Sequence, residues 1–212
     1  LEVMETLKHA PALRTRSRLS LLLLLAFFAA PVVLAWLAFY VFPEWRPAGT
    51  SNHGQLITPL RPLPAFEVET LSGARIDETF LRGKWTLVYL AQGACAEPCV
   101  RQLYNLRQVR LAQGKNIDRI QRLMLWERAD LRPGQRTELT EHFPGQVMAA
   151  VPDRVPPELL ETFVLDEQDP MRAGRVYLVD PLGNLMMSYQ PEDEPRGMIK
   201  DLERLLKYSG LG

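Results

Sequence analysis

Apolar and polar positions fall into two regimes along the chain. From Leu19 to Phe42 twenty-four residues run without a charge. As a helix at about 1.5 Å per residue that run covers roughly 36 Å, enough to cross a hydrocarbon core of about 30 Å with some tilt. Pro31 would kink a soluble helix, but transmembrane helices tolerate one. Trp36, Tyr40, Phe42 and Trp45 suit a membrane interface, and Lys8, Arg14, Arg16 and Arg18 lie ahead of the run. The positive-inside rule then predicts a cytoplasmic tail over 1–18, a lipid-embedded helix over 19–42, and all later residues on the opposite side. A cleaved signal peptide fits less well, because the run is long and leads into bulky residues rather than a small-residue cleavage site. Leu1-Glu2-Val3 precede Met4, so either Leu1 or Met4 is read as the start. Pro43, Pro47, Pro59, Pro62 and Pro64, with Gly49 and Gly54, predict an extended linker over 43–63.

After Pro64 the runs shorten and are separated by Gly, Pro, Asn and Asp. Phe66–Thr70 and Ala74–Ile76 about Leu71-Ser72-Gly73 predict a hairpin. Trp85–Leu90, WTLVYL, is a continuous apolar run typical of a strand covered on both faces, and Ile120–Trp126 reads as a second central strand. Between them Cys99, Leu103, Leu106 and Val109 make one face of a helix starting near Pro98 and stopping by Gly114. Thr137–His142 and Pro157–Phe163 predict short helices, with an extended segment over Val147–Val151. Arg175–Val179 and Leu185–Tyr189 about Asp180-Pro181-Leu182-Gly183-Asn184 predict a second hairpin. Ile199, Leu202, Leu205 and Leu206 stripe a final helix over Met198–Tyr208. Hairpin, strand, helix, strand, helix, hairpin, helix is an α/β order with a mixed sheet, and the 64–212 segment is long enough to build one core.

Composition removes alternatives. The chain has 25 basic and 25 acidic residues, so no net positive field draws nucleic acid. Two cysteines cannot frame a small disulfide-rich scaffold. No phosphate-binding glycine loop, Ser-His-Asp arrangement or zinc-ligand spacing is present, which disfavours nucleotide-dependent and hydrolytic chemistry. Glu192-Asp193-Glu194 reads as a solvated loop. Arg101, Arg107 and Arg110 read as a water-facing stripe that an acidic partner would suit.

What remains is Cys95-Ala96-Glu97-Pro98-Cys99. Two cysteines placed at random in a chain of this length fall four apart about 1% of the time. Cys95 follows a buried strand and Cys99 lies in the first turn of a helix, where free N–H groups and the helix dipole stabilise a thiolate. Three readings stay open on these residues: a structural disulfide, dithiol–disulfide exchange, and Cu(I) held by two thiolates. A loop this short removes little unfolded-state entropy, so stabilisation alone is the weakest of the three.

Pro64-Ala65-Phe66, Leu71-Ser72-Gly73, the run from Phe80 to Leu90, the Cys95-x-x-x-Cys99 spacing and the Asp180-Pro181-Leu182-Gly183-Asn184 turn together resemble the Sco family. These are membrane-anchored, thioredoxin-like proteins that assist assembly of the copper centre of cytochrome c oxidase subunit II. The resemblance implies a thioredoxin-like mixed sheet flanked by helices, behind one transmembrane helix. It implies subunit II or other assembly factors as partners, with membrane lipid around the anchor, and copper as the associated metal, with Cys95 and Cys99 as its sulfur ligands. A bacterial inner membrane, with the domain in the periplasm, suits a Pro-interrupted anchor lacking a transit peptide.

Two departures change the expected chemistry. Val100 stands where the family usually has proline, and the third copper ligand, a histidine, falls by register at about Arg172. His53 lies in the expected linker and His142 on a short helix. Met171 would offer a thioether to Cu(I), though methionine more often fills core gaps, as do Met186 and Met187. Arg172 near the cysteines would favour a thiolate. The leading expectation is therefore a Sco-like thiol–disulfide oxidoreductase using Cys95 and Cys99. A Cu(I) chaperone and a non-catalytic assembly scaffold are the alternatives.

Overall fold

In the computed structural model the described residues are 12–41, 52–127, 134–151 and 157–210. They fall in two compact units, residues 1–50 and 51–212. The first contains helix α1, Ala12–Tyr40, continuous through Pro31. Its Arg18–Tyr40 stretch has 23 residues of mean hydropathy 2.6 and none of them is buried within the protein. A stretch of helix that is apolar all round has no soluble core to enter, and this one is long enough to cross a bilayer. The chain is thus anchored by a single span. The helix begins seven residues before Leu19, while Phe42 and Trp45 lie outside the described residues.

The second unit is built on one sheet of eight strands in the order β1-β8-β7-β4-β5-β6-β2-β3. The strands are β1 Gln55–Pro62, β2 Glu67–Thr70, β3 Arg75–Asp77, β4 Trp85–Gln92, β5 Ile120–Glu127, β6 Gln146–Val151, β7 Val176–Val179 and β8 Asn184–Tyr189. β4, β5 and β6 are parallel and the remaining pairings are antiparallel. The two runs that read as central strands are the centre of this sheet. Trp85 through Ala91 are all buried, as β4 requires with layers on both sides.

Side-chain alternation divides the core into those two layers. On one face Trp85, Leu87, Tyr89, Met124, Trp126 and Leu178 pack against α2, Glu97–Ala112, and the last helix, α5, Pro195–Tyr208. Between these helices in the chain come α3, Gln135–His142, and α4, Pro157–Thr162. On the other face Val88, Leu90, Leu123, Leu125 and Tyr177 pack against Phe66, Leu81, Leu159 and Phe163. The hairpins and helices read from the pattern are present within one to three residues at each end.

The linker expectation fails from Gln55 onward. Those residues form β1, paired antiparallel with β8 with a register shift between Leu56 and Arg61. Proline is admissible there because β1 is an edge strand whose outer N–H groups have no ladder to join. Composition alone cannot separate a proline-rich edge strand from a linker. His53 is likewise part of the domain: its backbone N–H and that of Gly54 donate to the buried Asp201 carboxylate of α5, and its Nδ1 lies 3.1 Å from Asp201 Oδ1. A Cβ on Gly197 would come within 2.8 Å of the His53 side chain, so the close seating of this segment on α5 depends on that glycine.

Candidate functional site

Cys95 and Cys99 are joined in a disulfide where β4 hands over to α2, with Cα atoms 5.2 Å apart. The local sequence explains the placement. β4 ends at Gln92, Gly93 turns the chain with φ +68°, and Pro98 fixes the second residue of α2. The N-cap is Ala96, which has no side-chain oxygen to offer the first-turn amides. Those amides are left for other acceptors, and a sulfur anion formed at Cys95 or Cys99 is one. Glu97, also in that turn, is paired with Arg101 at 3.7 Å.

Both cysteines are buried, at 6% and 8% exposure, as part of the α2 layer. Their neighbours Ala94, Ala96, Glu97, Pro98 and Val100 are exposed. The surface chain next to the disulfide is thus loop and first helical turn. Trp126, fully buried at the end of β5, donates from Nε1 to the Gly93 carbonyl at 2.6 Å, and Gln135 at the start of α3 donates to the Cys95 carbonyl at 3.5 Å. Tyr89 lies in the same layer, and burial raises its hydroxyl above the ordinary tyrosine range.

The other residues singled out in the sequence are distributed unevenly. Arg172 is at this end of the sheet: its Nε donates to Gln92 Oε1 at 3.0 Å and pairs with Asp169 at 3.4 Å. It is largely exposed, and its charge is shared with that carboxylate. Met171 is buried in the opposite layer with Phe163, Leu165 and Tyr177, so the sheet separates it from the cysteines. Its expected role as a sulfur donor beside them is not supported by this placement; it fills core, as an unbranched apolar side chain does. Met187 is buried in the α2 layer and Met186 packs against it, both as sheet residues. His142 is an exposed end-of-helix residue whose Nδ1 lies 2.8 Å from the Glu138 carbonyl. Among the described residues no group of three His, Cys, Asp or Glu side chains is placed to hold a metal ion. Among the described residues the donor set is two sulfurs without an imidazole, which does not fit a three-ligand copper site.

Sequence reading missed Trp126, Gln135 and Gln92. Trp126 looked like the apolar end of a strand, and nothing local signals that its N–H reaches back across β4.

A disulfide set between a central strand and the first turn of a packed helix defines a thioredoxin-like domain bearing a cysteine pair. A family model described as the transmembrane-like, thioredoxin-like, C-terminal domain matches residues 85–209, and the chain belongs to that family. Three solved structures show the same fold. Yeast Sco1 with copper bound is 18% identical at a TM-score of 0.55, covering 70% of this chain and 90% of its own. BsSco, described as a member of the Sco family of cytochrome c oxidase assembly proteins with a disulfide switch, is 15% identical at 0.53, covering 73% and 99%. A putative protein disulfide isomerase from Bacteroides thetaiotaomicron is 13% identical at 0.51, covering 72% and 92%. No curated protein matches the sequence.

Proposed function

We propose that the chain is a membrane-anchored Sco-like thiol–disulfide protein of cytochrome c oxidase assembly, whose working group is the Cys95–Cys99 pair. The observation that carries this reading is the pairing itself: two sulfurs bonded at the β4–α2 junction, with no third metal-ligating side chain grouped with them among the described residues. A ring this small contributes little as a staple. The Sco likeness supports the assembly context, and the basic residues ahead of the apolar run support a cytoplasmic tail and a periplasmic domain in a bacterial inner membrane.

In the reduced chain the thiolate of one cysteine attacks a partner disulfide, forming a mixed disulfide and releasing one partner thiolate. The second cysteine then attacks the mixed disulfide, freeing the partner's other sulfur and closing Cys95–Cys99. Two electrons pass to the partner, and a dithiol donor outside the membrane reopens the ring. The favoured partner is the copper-binding cysteine pair of cytochrome c oxidase subunit II, which must be reduced to take metal.

The test uses the full chain in detergent. Reduced protein mixed with an oxidised subunit II domain should yield free partner thiols, and Cys95→Ser or Cys99→Ser should trap a mixed disulfide or abolish the reaction. In a deletion strain the double serine variant should fail to restore oxidase. Rescue by that variant would overturn the reading in favour of a scaffold. Exchange-inactive wild type that binds one Cu(I) lost in either serine variant would overturn it in favour of a copper chaperone.

A further inference from the structure

We propose that Trp126 and Gln135 are positioning residues that hold the Cys95–Cys99 disulfide closed against external thiols, by fastening the loop above it through its carbonyl groups. The proposal deepens the thiol–disulfide reading, but the fastening is a property of the fold and is measurable without a partner.

The sulfurs are buried while Ala94, Ala96, Glu97 and Pro98 beside them are exposed, so the surface chain next to the disulfide is the Gly93–Pro98 loop and first helical turn. A thiolate must reach one sulfur to displace the other, and access limits that step. That loop therefore has to shift before exchange. Three hydrogen bonds resist the shift: Trp126 Nε1–H to the Gly93 oxygen at 2.6 Å, the Gly93 N–H to the Glu127 oxygen at 3.2 Å, and Gln135 Nε2–H to the Cys95 oxygen at 3.5 Å. Two come from side chains that cannot follow a moving loop. Trp126 is 0% exposed in β5 and Gln135 is 8% exposed at the start of α3. When the loop lifts, a fully buried indole N–H loses its acceptor, and a buried donor without a partner costs more than the bond is worth in water. Gly93 supplies the conformation that makes this possible. A Cβ there would meet nothing within 4 Å, so its glycine is explained by the backbone and not by space.

The same layer contains an internal control. Trp85 is also buried, at 4% exposure, and its indole nitrogen has no partner among the described residues. Replacing Trp85 by Phe removes a similar volume and an N–H that fastens nothing.

The experiment follows reduction of the oxidised full chain in detergent by excess dithiothreitol, quenched by alkylation and read as two added alkyl groups by mass. One dithiothreitol thiolate attacks a protein sulfur and releases the other cysteine as thiolate. The reagent's second thiol then closes into a ring and frees the first cysteine, so two electrons enter the protein. Trp126→Phe should be reduced about tenfold faster than wild type, the rate equivalent of one buried hydrogen bond. Gln135→Met, losing a longer bond, should be about threefold faster. Trp85→Phe should match wild type. Equal rates for Trp126→Phe, Gln135→Met and wild type would overturn the proposal. So would an acceleration of Trp85→Phe equal to that of Trp126→Phe, which would report a loosened layer instead of a released loop. If Trp126→Phe does not fold, Gln135→Met against Trp85→Phe decides alone. Failure of subunit II reduction with these rate differences intact would sink the functional reading and leave the fastening standing.

Discussion

The loop that runs into β7 and the layer beneath α2 each bury an arginine, and they treat it differently. Arg175 is 2% exposed and lies inside a ring of acceptors: Asp166 Oδ2 at 2.7 Å, Gln55 Oε1 at 3.0 Å and Gln168 Oε1 at 3.4 Å. Arg122 is 1% exposed and reaches the Pro144 carbonyl, while its Nε and Nη1, like the Arg175 Nε, have no partner among the described residues. Burial holds its guanidinium down at about 10, and the like charges of Arg110 and Arg107 on α2 push the same way. In the first region a stretch of chain is folded around a charge. In the second a charge is carried inside without a carboxylate. A buried cation is stabilising only when its partners replace the water it lost. Arg175 therefore organises the segment carrying Met171 and Arg172, whereas Arg122 is a standing cost under the cysteine-bearing layer.

Removing the carboxylate from the ion-paired arginine is the strongest way to break this contrast. Asp166 and Glu167 have φ of 53° and 58°, a tight left-handed turn that brings the Asp166 carboxylate onto Arg175. Asn tolerates that backbone, so Asp166→Asn removes the charge and keeps the turn. It should destabilise the domain by about 3 kcal/mol in urea unfolding, because it leaves a buried guanidinium unneutralised. A loss no larger than that of an exposed ion pair, under about 1 kcal/mol, would mean that the two regions do not differ as described.

Arg122→Met is expected to have the opposite sign, a gain of about 2 kcal/mol, since an apolar side chain of similar length replaces an unpaired charge. The pH dependence sharpens this. Arg122 releases its proton near 10 when folded, well below the ordinary arginine range that it keeps when unfolded, so above about pH 10 the unfolded state holds more protons and this group's contribution to stability rises with pH. Burial raises Tyr177 to about 12 and raises Tyr189 as well, with Asp201 adding to the latter. Those phenols keep their protons in the folded state, and their stabilisation is lost above about pH 10. Subtracting wild type from Arg122→Met cancels the tyrosines. The variant's advantage should shrink between about pH 9 and about pH 11, and a constant difference would show that Arg122 is not the source.

The two regions also differ in how far the sequence discloses them. The cysteine site was legible because its signals are local: a continuous apolar strand, a spacing of four and a proline in the first helical turn. The four apolar residues assigned to one face of α2 are its four buried ones. Arg175 and Arg122 gave no such signal. Each is one charge in or beside a strand, and its partners lie seven or more residues away or are backbone carbonyls that composition does not mark. The same limit hid β1, whose prolines read as linker until β8 supplied a neighbour, and Asp201, which collects His53, Gly54 and Tyr189 from two other elements. Local chemistry is written in adjacent residues. Closure between distant ones is written in the sheet order.

Met171→Leu is the mildest change and bears most directly on copper. Met171 is held within the Arg175-organised loop by its own N–H, which donates to Asp169 Oδ1 at 3.0 Å, while its side chain is buried against Phe163 and Tyr177. Leu conserves volume and removes only the sulfur, so the stability change should be about 0.5 kcal/mol. If the sheet truly separates this thioether from the cysteines, Cu(I) uptake by the reduced chain, measured by competition with a colorimetric chelator, should be the same in variant and wild type. Any uptake present would then belong to Cys95 and Cys99 and disappear in Cys95→Ser. A lower Cu(I) affinity in Met171→Leu would instead mean that the loop swings its sulfur to the other face. That movement would have to break the Arg175–Asp166 contact, so Asp166→Asn should then change the affinity as well.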